Sequence, residues 1–241
     1  MLNNILWLIP ARSGSKSIPH KNIKILGDYP LMAYRIKSAL SIASPQDVWV
    51  STDSEEYAEI AERYGATIPF MRPEELATET ATSADVVLHA IYEAEKRGLI
   101  YSALGLLEPT SPFITFSQLT DAVQQLLGNS EAENIVAVRE SRPNSFFVQK
   151  DSEYLSVLAD RLSKVHSHAR QNFGKEITPS GGFHITKWDS FKKSKTFFTQ
   201  KTLSYFIRSE NELEIDEPVD WNFAEFILKN GLIKISDIFN I

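Results

Sequence analysis

Short apolar runs alternate with amphipathic stretches along most of this chain, which is the pattern of strands followed by helices. The apolar runs predict strands at residues 5–9, 47–51, 66–71, 101–107 and 134–138. The amphipathic stretches predict helices at residues 31–43, 55–64, 85–96 and 118–127. Because strands and helices alternate, the sequence predicts an α/β fold with a doubly wound, mostly parallel sheet.

The alternation stops after Arg139. Residues 141–179 are polar, aromatic and irregular, and a segment of this length without clear periodicity is commonly functional. Strand signals return at residues 182–186 and 203–207, and the last helix is predicted at residues 218–228. We therefore expect a single domain over residues 1–241, with an arm at about residues 140–180.

Composition narrows the class of protein. The 241 residues include no cysteine, 43% are hydrophobic, 23% are charged, and the formal net charge is −6. No run of Lys and Arg forms a stripe, which speaks against a nucleic acid as partner. The first residues lack the basic segment of a signal peptide, and no apolar stretch is long enough to cross a membrane. We expect a soluble cytoplasmic protein without a membrane partner.

The loop after the first predicted strand holds the strongest chemical signal. Its cations Arg12, Lys16 and Lys21 follow the carboxyl end of a buried strand, where open α/β sheets bind ligands. Gly14 and the neighbouring serines would let backbone N–H groups approach an anion. The loop has neither a Walker A nor a dinucleotide glycine pattern. It is either a solvated basic loop or a polyphosphate-binding loop of another kind, and we favour the second interpretation.

The string IPARSGSKSIPHKNI, residues 9–23, resembles the corresponding loop of the CMP-sugar synthetases. These are the cytidylyltransferases that activate sialic acid and related acidic sugars. The resemblance extends, with gaps, from the first strand to about residue 225. It implies a nucleotide-diphospho-sugar transferase-like fold related to the Rossmann fold. It also implies CTP and an acidic keto-sugar as substrates, Mg²⁺ as cofactor, and a homodimer whose arms help to cover the neighbouring sugar site.

The resemblance assigns roles to the loop residues. Arg12 and Lys21 would contact the triphosphate, Lys21 would stabilise charge at the attacked phosphorus, and Asn22 would help to hold the nucleotide. The other nucleotide-binding candidates of the loop are Ala11, Gly14, Ser15 and Lys16.

The runs RPEELA and TATS, within residues 72–83, form a second candidate binding site. Taken alone, they are a helix start and its cap. Beside the loop, they resemble the family element that closes over cytosine, with Arg72 and Ser83 directed at the ring. The backbone around Ala81 would accept from the amino group of cytosine, which uracil lacks, so a carbonyl at this position would select cytidine.

The run EPTSP, residues 108–112, ends a strand and resembles the LQPTSP run of the family, which points to sugar binding by Glu108, Thr110 and Ser111. Glu108 stands where the sialic acid enzymes commonly have Gln. A carboxylate there would repel the sugar's own carboxylate but could accept from its hydroxyl or amide groups.

Two further stretches resemble parts of the sugar site. Arg170 and Gln171 match the arm pair that contacts the acidic sugar, and Arg is suited to bidentate capture of a carboxylate. Ser180, Gly181 and His184 belong to a run that resembles PNGAIY, with Ser180 in place of Asn and His184 in place of an aromatic hydroxyl residue. These differences favour an acidic nonulosonic sugar other than plain N-acetylneuraminate.

The run EIDEPVD, residues 214–220, suggests a metal site. Strand alternation would put Glu214 and Asp216 on one face, where two carboxylates can bind one hard cation. Alternatively, the acidic cluster favours the dipole of the following helix, which suits Glu217 and Asp220. The match to the DIDxxxD run of the family makes us favour Mg²⁺ for Glu214 and Asp216, and Asp216 joins Arg12 and Lys21 as a catalytic candidate.

The sequence thus predicts a Mg²⁺-dependent cytidylyltransferase that joins CTP to an acidic nonulosonic sugar, with legionaminic or pseudaminic acid favoured over plain N-acetylneuraminate. A CMP-Kdo synthetase and another nucleotidyltransferase, such as a guanylyltransferase, are the enzymatic alternatives. A nucleotide-binding protein that has lost turnover is the alternative from a different class.

Overall fold

A computed structural model describes residues 4–141 and 176–240 of the chain. Its strands are β1 (Ile5–Pro10), β2 (Ile25–Leu26), β3 (Tyr29–Pro30), β4 (Val48–Ser51), β5 (Ala103–Leu106), β6 (Asn134–Glu140), β7 (Ile177–Lys187) and β8 (Thr202–Phe206). The main sheet has the order β4–β1–β5–β7–β6–β8, and β2 pairs with β3 in a separate ribbon.

The main sheet is mostly parallel. β1 is parallel to β4 and β5, and β6 is parallel to β8. β7 is antiparallel to both of its neighbours, β5 and β6. The predicted α/β fold is therefore confirmed, with a reversed strand that the hydrophobic pattern does not reveal because direction leaves the side-chain period unchanged.

Helices cover both faces of the sheet. They are α1 (Leu31–Leu40), α2 (Glu55–Arg63), α3 (Ser83–Lys96), α4 (Phe116–Gly128), α5 (Trp188–Ser194), α6 (Pro218–Lys229) and α7 (Ile235–Ile238). Buried side chains from α1, α2 and α4 contribute to one core cluster, and those of α3 and α5 contribute to another. Leu31 and Tyr34 of α1 pack with α6 in a third cluster. In the described residues, no helix combines the length and the apolar character needed to cross a membrane.

Strand β1 shows why both faces are covered. Trp7 and Ile9 belong to the first core cluster, whereas Leu6 and Leu8 belong to the second. Successive side chains of a strand point to opposite faces, so a run that is apolar at every position needs a core on each side. Gly105 on the neighbouring strand lies directly against the Trp7 ring, and a Cβ atom at position 105 would overlap it.

Several predicted boundaries were wrong for local reasons. The helix predicted at residues 31–43 ends at Leu40, and residues 66–71 form only an isolated bridge between Thr67 and Trp49, because Pro69 cannot donate to a ladder. Helix α3, predicted to begin at residue 85, begins at Ser83, and Thr82 caps it. The short helices α5 and α7 were missed, and α7 follows the helix that the sequence predicts to be last.

The predicted arm lies largely outside the described residues. At its edges, Glu140 ends β6 and Ile177 begins β7, and these two residues are paired across the sheet. The described chain on either side of residues 142–175 therefore lies close together in the sheet.

Candidate active site

A cleft of about 280 Å³ opens at the carboxyl ends of the parallel strands β1, β4 and β5. Adjacent parallel strands bring their following loops to one edge of a sheet, which is where α/β proteins bind ligands. The predicted residues that line this cleft are Arg12, Ser15, Lys21, Asn22, Arg72, Ala81, Ser83, Glu108 and Thr110.

The loop after β1 is held in place by the end of β4. The Ala11 N–H donates to the Ser51 carbonyl at 2.9 Å. The carboxylate of Asp53 accepts from both the backbone N–H and the hydroxyl of Ser13, at 2.8 and 2.7 Å. These bonds fix the first turn of the loop, so Asp53 is a supporting residue that the sequence pattern did not single out.

The loop cations occupy different positions. Arg12 lines the cleft and donates to the Thr78 carbonyl across it at 2.9 Å. Lys16 is exposed and pairs with Glu79 at 2.6 Å, which places it at the rim. Gly14 is also exposed, and a Cβ atom at that position would have no neighbouring atom within 4 Å.

Lys21 is buried at the base of the loop, in a short 3₁₀ turn, Lys21–Ile23. Its ammonium donates to the Ile215 carbonyl at 2.8 Å and lies 3.3 Å from a carboxylate oxygen of Asp216. The neighbouring Asn22 is also buried, and its side chain donates to the Arg12 carbonyl at 3.0 Å. Lys21 thus joins the loop to the segment that contains the candidate metal ligands.

Arg72 is buried beside β4. Its guanidinium donates to the hydroxyl and the carbonyl of Ser51 at 2.9 and 2.6 Å. Burial lowers the pKa of Arg72 to about 10, so the group stays charged at neutral pH. Two predicted cytosine contacts, Ser83 and Ala81, line the cleft together with it.

Glu108 is half-buried in the same cleft, where its carboxylate accepts from the Ser83 hydroxyl at 3.0 Å. Desolvation raises the pKa of Glu108, and the negative charges of Glu214 and Asp216 act in the same direction. The Ser83 bond and the nearby Arg72 oppose the increase. Glu108 therefore contacts the residue predicted for cytosine while facing the carboxylates predicted for the metal.

A second cavity of about 440 Å³ contains Glu214 and Asp216, together with Arg139, Asp220 and Phe223. The residues around Glu214 and Asp216 do not form the strand that alternation requires, so that part of the prediction was wrong. Their backbone is tied to the domain instead by the Ile215 N–H, which donates to the Thr110 carbonyl at 2.8 Å. Burial of Ile215 between them turns both carboxylates toward the same cavity.

Glu217 and Asp220 have the alternative role that the sequence suggested for the acidic cluster, because both lie at the start of the following helix. Glu217 is the N-cap of α6, and its side chain accepts from the backbone at Asp220. The Asp220 carboxylate in turn accepts from the backbone N–H groups of Asp216 and Glu217 at 3.0 and 2.8 Å. This capping box satisfies backbone donors at the helix start and leaves the Asp216 side chain available.

A divalent cation would find two carboxylates here. Over residues 4–141 and 176–240, no group of three or more His, Cys, Asp or Glu side chains is arranged to hold a metal ion. Glu214 accepts from the Gly181 N–H at 3.0 Å, and Asp216 pairs with Lys21. Such a pair fits Mg²⁺, which commonly takes one or two carboxylates and completes its octahedron with substrate phosphates and water.

The predicted sugar residues Ser111 and Gly181 lie beside Glu214. A Cβ at position 181 would come within 3.1 Å of the Glu214 carboxylate and 3.2 Å of the Ser111 hydroxyl. The Ser111 hydroxyl is buried without a hydrogen-bond partner in the described structure. Ser180 is also buried, and its hydroxyl accepts from the Gly182 N–H at 3.3 Å.

His184 lies elsewhere. Its ring packs against Phe197 and Phe198, with centroids 5.0 and 6.0 Å apart, on the face of β7 opposite to Phe183. Burial lowers the pKa of His184 to about 4, so the imidazole is neutral near pH 7. His184 lines neither of the two cavities described above. Arg170 and Gln171 lie outside the described residues.

A model of the cytidylyltransferase family matches residues 6–228, and the chain belongs to this family. It is 35% identical over 224 residues to N-acylneuraminate cytidylyltransferase of Escherichia coli, which covers 93% of this chain and 52% of that protein. It is 30% identical over 227 residues to CMP-N,N'-diacetyllegionaminic acid synthase of Legionella pneumophila, covering 93% of this chain and 96% of that protein. The chain thus spans about half the length of the first relative and nearly all of the second.

A solved structure of CMP:2-keto-3-deoxy-manno-octonic acid synthetase complexed with CTP has the same fold. The TM-score is 0.69 at 13% sequence identity, and the match covers 95% of this chain and 99% of that chain. At this identity, the similarity supports the architecture of the domain.

Proposed function

We propose that this protein transfers the cytidylyl group of CTP to an acidic nonulosonic sugar, giving a CMP-sugar and pyrophosphate. The observation that carries the proposal is the position of Lys21. Lys21 lines the first cleft, where we place the nucleotide, and its ammonium contacts Asp216, which lines the second cavity. The two cavities therefore meet at one cation, as a transfer between two bound substrates requires.

In this proposal, the triphosphate lies along the loop after β1. Arg12 and Lys21 contact its oxygens, and Lys16 approaches from the rim after releasing Glu79. The sugar hydroxyl attacks the α-phosphorus in line, and the bond to the pyrophosphate oxygen breaks. Negative charge develops on the phosphoryl oxygens during this step, so fixed cations lower the barrier.

We assign cytosine to the part of the cleft that contains Arg72, Ala81 and Ser83. The Arg72 guanidinium is held rigidly by Ser51, so it presents a fixed donor edge. A backbone carbonyl near Ala81 would accept from the cytosine amino group, and the uracil oxygen would find no donor there.

Glu214 and Asp216 would hold Mg²⁺ next to the pyrophosphate. When bound, this ion would offset the charge of the leaving group. The side chains themselves remain oriented in its absence, because the Gly181 N–H holds Glu214 and Lys21 holds Asp216.

The sugar would lie beside Glu108, Thr110, Ser111 and Gly181, with Arg170 and Gln171 contributing from the arm. The Glu108 carboxylate can accept from the hydroxyl and amide groups of an acidic nonulosonic sugar, and the hydroxyls of Thr110 and Ser111 can both donate and accept. Legionaminic or pseudaminic acid is therefore our preferred substrate class, and the Legionella relative supports it. We further propose a homodimer that works in the cytoplasm and supplies cell-surface polysaccharide biosynthesis.

The test is pyrophosphate release from CTP and Mg²⁺ with N-acetylneuraminate, legionaminate, pseudaminate and Kdo, each in a separate reaction. We expect release with legionaminate or pseudaminate, and a CMP-sugar of matching mass. Release with Kdo alone would assign the protein to the other branch of CMP-sugar synthetases. CTP binding without release from any of the four sugars would contradict the proposed activity.

A further inference from the structure

Arg35 is a charged side chain placed where charge is costly. It lies on α1 and has no solvent-exposed surface. No carboxylate forms an ion pair with it among the described residues, and its Nε atom lacks a hydrogen-bond partner there. A buried guanidinium without a counter-ion is expensive, and an apolar side chain of similar length would avoid that cost.

The two bonds that Arg35 makes explain its position. One terminal nitrogen donates to the Ile114 carbonyl at 3.2 Å, and the other donates to the Gly182 carbonyl at 3.0 Å. Ile114 is three positions after Ser111, and Gly182 directly follows Gly181. The planar guanidinium thus connects the two segments that form the proposed sugar wall, which are far apart in sequence.

Packing brings the same two segments into close contact. A Cβ at position 182 would lie 2.9 Å from the Ile114 side chain and would overlap that of Ile207. Only glycine at position 182 permits this approach. Its neighbour Gly181 is similarly close to Ser111. The distance between residues 110–114 and strand β7 therefore sets the width of the proposed sugar site beside Glu214.

We propose that Arg35 is a positioning residue for the acceptor sugar: by bonding both Ile114 and Gly182, it fixes the spacing between the Thr110–Ser111 turn and strand β7. This inference rests on the proposed function for the identity of the acceptor. It predicts a defect in sugar binding that is separable from CTP binding, because the hydrogen bonds of Arg35 go to Ile114 and Gly182 and not to the loop after β1 or the cytosine region.

The experiment compares Arg35→Met, Arg35→Lys and the control Ser38→Ala. Ser38 lies on the same helix, is fully buried, and its hydroxyl has no partner in the described structure, so the control removes a polar group without disturbing the wall. We expect Arg35→Met to raise the sugar KM by about tenfold or more, with the CTP KM changed by less than about twofold. Arg35→Lys keeps the charge but reaches one carbonyl at a time, so we expect an intermediate sugar KM.

A purely structural role makes a different prediction. It would lower the melting temperature and the active fraction of Arg35→Met while leaving both KM values unchanged, and that result would overturn the inference. If Arg35→Met does not fold, the sugar KM of Arg35→Lys becomes the test. An unchanged sugar KM in Arg35→Lys would likewise overturn the inference. Gly182→Ala tests the spacing by another route, since the added methyl must displace the side chains of both Ile207 and Ile114. We expect it to raise the sugar KM as well.

Amide hydrogen exchange gives a readout that does not depend on activity. In Arg35→Lys, we expect faster exchange in residues 108–115 and 177–183 and unchanged exchange in β1 and β4. Unchanged exchange in the first two segments would reject the positioning role. A wild-type protein that releases no pyrophosphate with any sugar, while Arg35→Lys still shows the altered exchange, would contradict the proposed function and leave the positioning of these segments intact.

Discussion

Lys21 lines the cleft of about 280 Å³, and its ammonium contacts Asp216 of the second cavity, which makes Lys21 the most direct test at the scale of single residues. Replacing Lys21 by Ala removes the ammonium that we place at the attacked phosphorus. We expect kcat to fall by about 100-fold or more, because a fixed cation stabilises charge that develops only in the transition state. Steady-state kinetics with CTP and the accepted sugar measure the effect.

Lys24→Ala is the matched control. Lys24 is exposed in the same part of the chain and its ammonium lies over the Trp221 ring, so this variant loses the same charge outside the cleft. Near wild-type kcat in the control, together with a large loss in Lys21→Ala, supports the assignment. Equal kcat in both variants would remove Lys21 from the mechanism.

Asp216 tests the proposed metal position. Asp216→Asn keeps the shape of the side chain and removes one of the two carboxylate charges, so we expect the Mg²⁺ concentration for half-maximal rate to rise by about tenfold or more. Glu212→Gln removes a charge from the same cavity without being a proposed ligand. If both variants titrate with Mg²⁺ like the wild type, the carboxylates do not hold the ion.

The partly buried carboxyl of Glu108 should make the stability of the protein depend on pH. Its pKa is raised above the ordinary glutamate value of 4.5, chiefly because burial disfavours the charged form. At pH values below the ordinary pKa, the Glu108 carboxyl is protonated in both the native and the unfolded states, so its ionisation does not change the free energy of unfolding. As the pH rises through the raised native pKa, the ionised form is penalised only in the native state, so Glu108 lowers the free energy of unfolding at neutral and higher pH.

Glu108→Gln should therefore raise the melting temperature at pH 8 and change it little at pH 4. Thermal unfolding at the two pH values measures the difference. Glu79→Gln is a control of opposite sign, because the bond from Lys16 lowers the pKa of that exposed carboxylate. An equal change for Glu108→Gln at both pH values would show that removal of the charge is not the cause.

At the scale of elements, the loop after β1 depends on its neighbour β4. Asp53 follows β4 and accepts two bonds from Ser13, and these bonds hold the loop open toward the cleft. Asp53→Ala releases this anchor, so we expect the CTP KM to rise by about tenfold with a smaller change in the sugar KM. Kinetics at saturating second substrate separate the two values.

Thr115→Ala controls for a general loss of stability. Thr115 caps α4 within a capping box remote from the loop, and its loss should cost about 1 kcal/mol of stability without changing the CTP KM. If Asp53→Ala lowers the melting temperature to the same extent and also leaves the CTP KM unchanged, the anchor has no role in nucleotide binding.

How far the sequence predicts the structure also depends on the element. The strands β1, β4 and β5 are buried and mostly apolar along their length, so they are found near their predicted positions. Residues 66–71 have a similar composition, but Pro69 prevents a ladder there. The short helix α5 was missed because its seven residues span too few turns to show a period.

The same reasoning applies to the site. The placement of Arg12 and Lys21 at the carboxyl edge of the sheet was predictable, because the loop cations cluster in sequence after one strand. Arg35 was not, because its partners Ile114 and Gly182 are 79 and 147 positions away, and a charged residue on an amphipathic helix usually faces solvent. His184 was expected in the sugar site from its neighbours in the chain, whereas strand alternation turns it to the opposite face from Phe183.

At the scale of the whole molecule, binding of the correct nucleotide should stabilise the entire domain. The cleft is built from the loop after β1, the segment at residues 72–82, the start of α3 and the turn after β5. A nucleotide that contacts all of them favours the native state over the unfolded chain. Stabilisation follows RT ln(1 + [L]/Kd), which is about 2.7 kcal/mol at a ligand concentration of 100 Kd.

Because a bound nucleotide stabilises the protein, thermal unfolding in the presence of CTP, UTP or GTP tests which base the cleft selects. We expect CTP with Mg²⁺ to raise the melting temperature by roughly 5–10 °C, given the size of the chain. UTP and GTP should have much smaller effects. Uracil carries a carbonyl oxygen where cytosine carries the amino group that would donate to the carbonyl near Ala81, and a purine would have to displace Ser83 and Arg72. Stabilisation by GTP alone would refute the cytidine assignment. Equal stabilisation by all three nucleotides would mean that the loop binds triphosphates while the residues around Arg72 do not select the base.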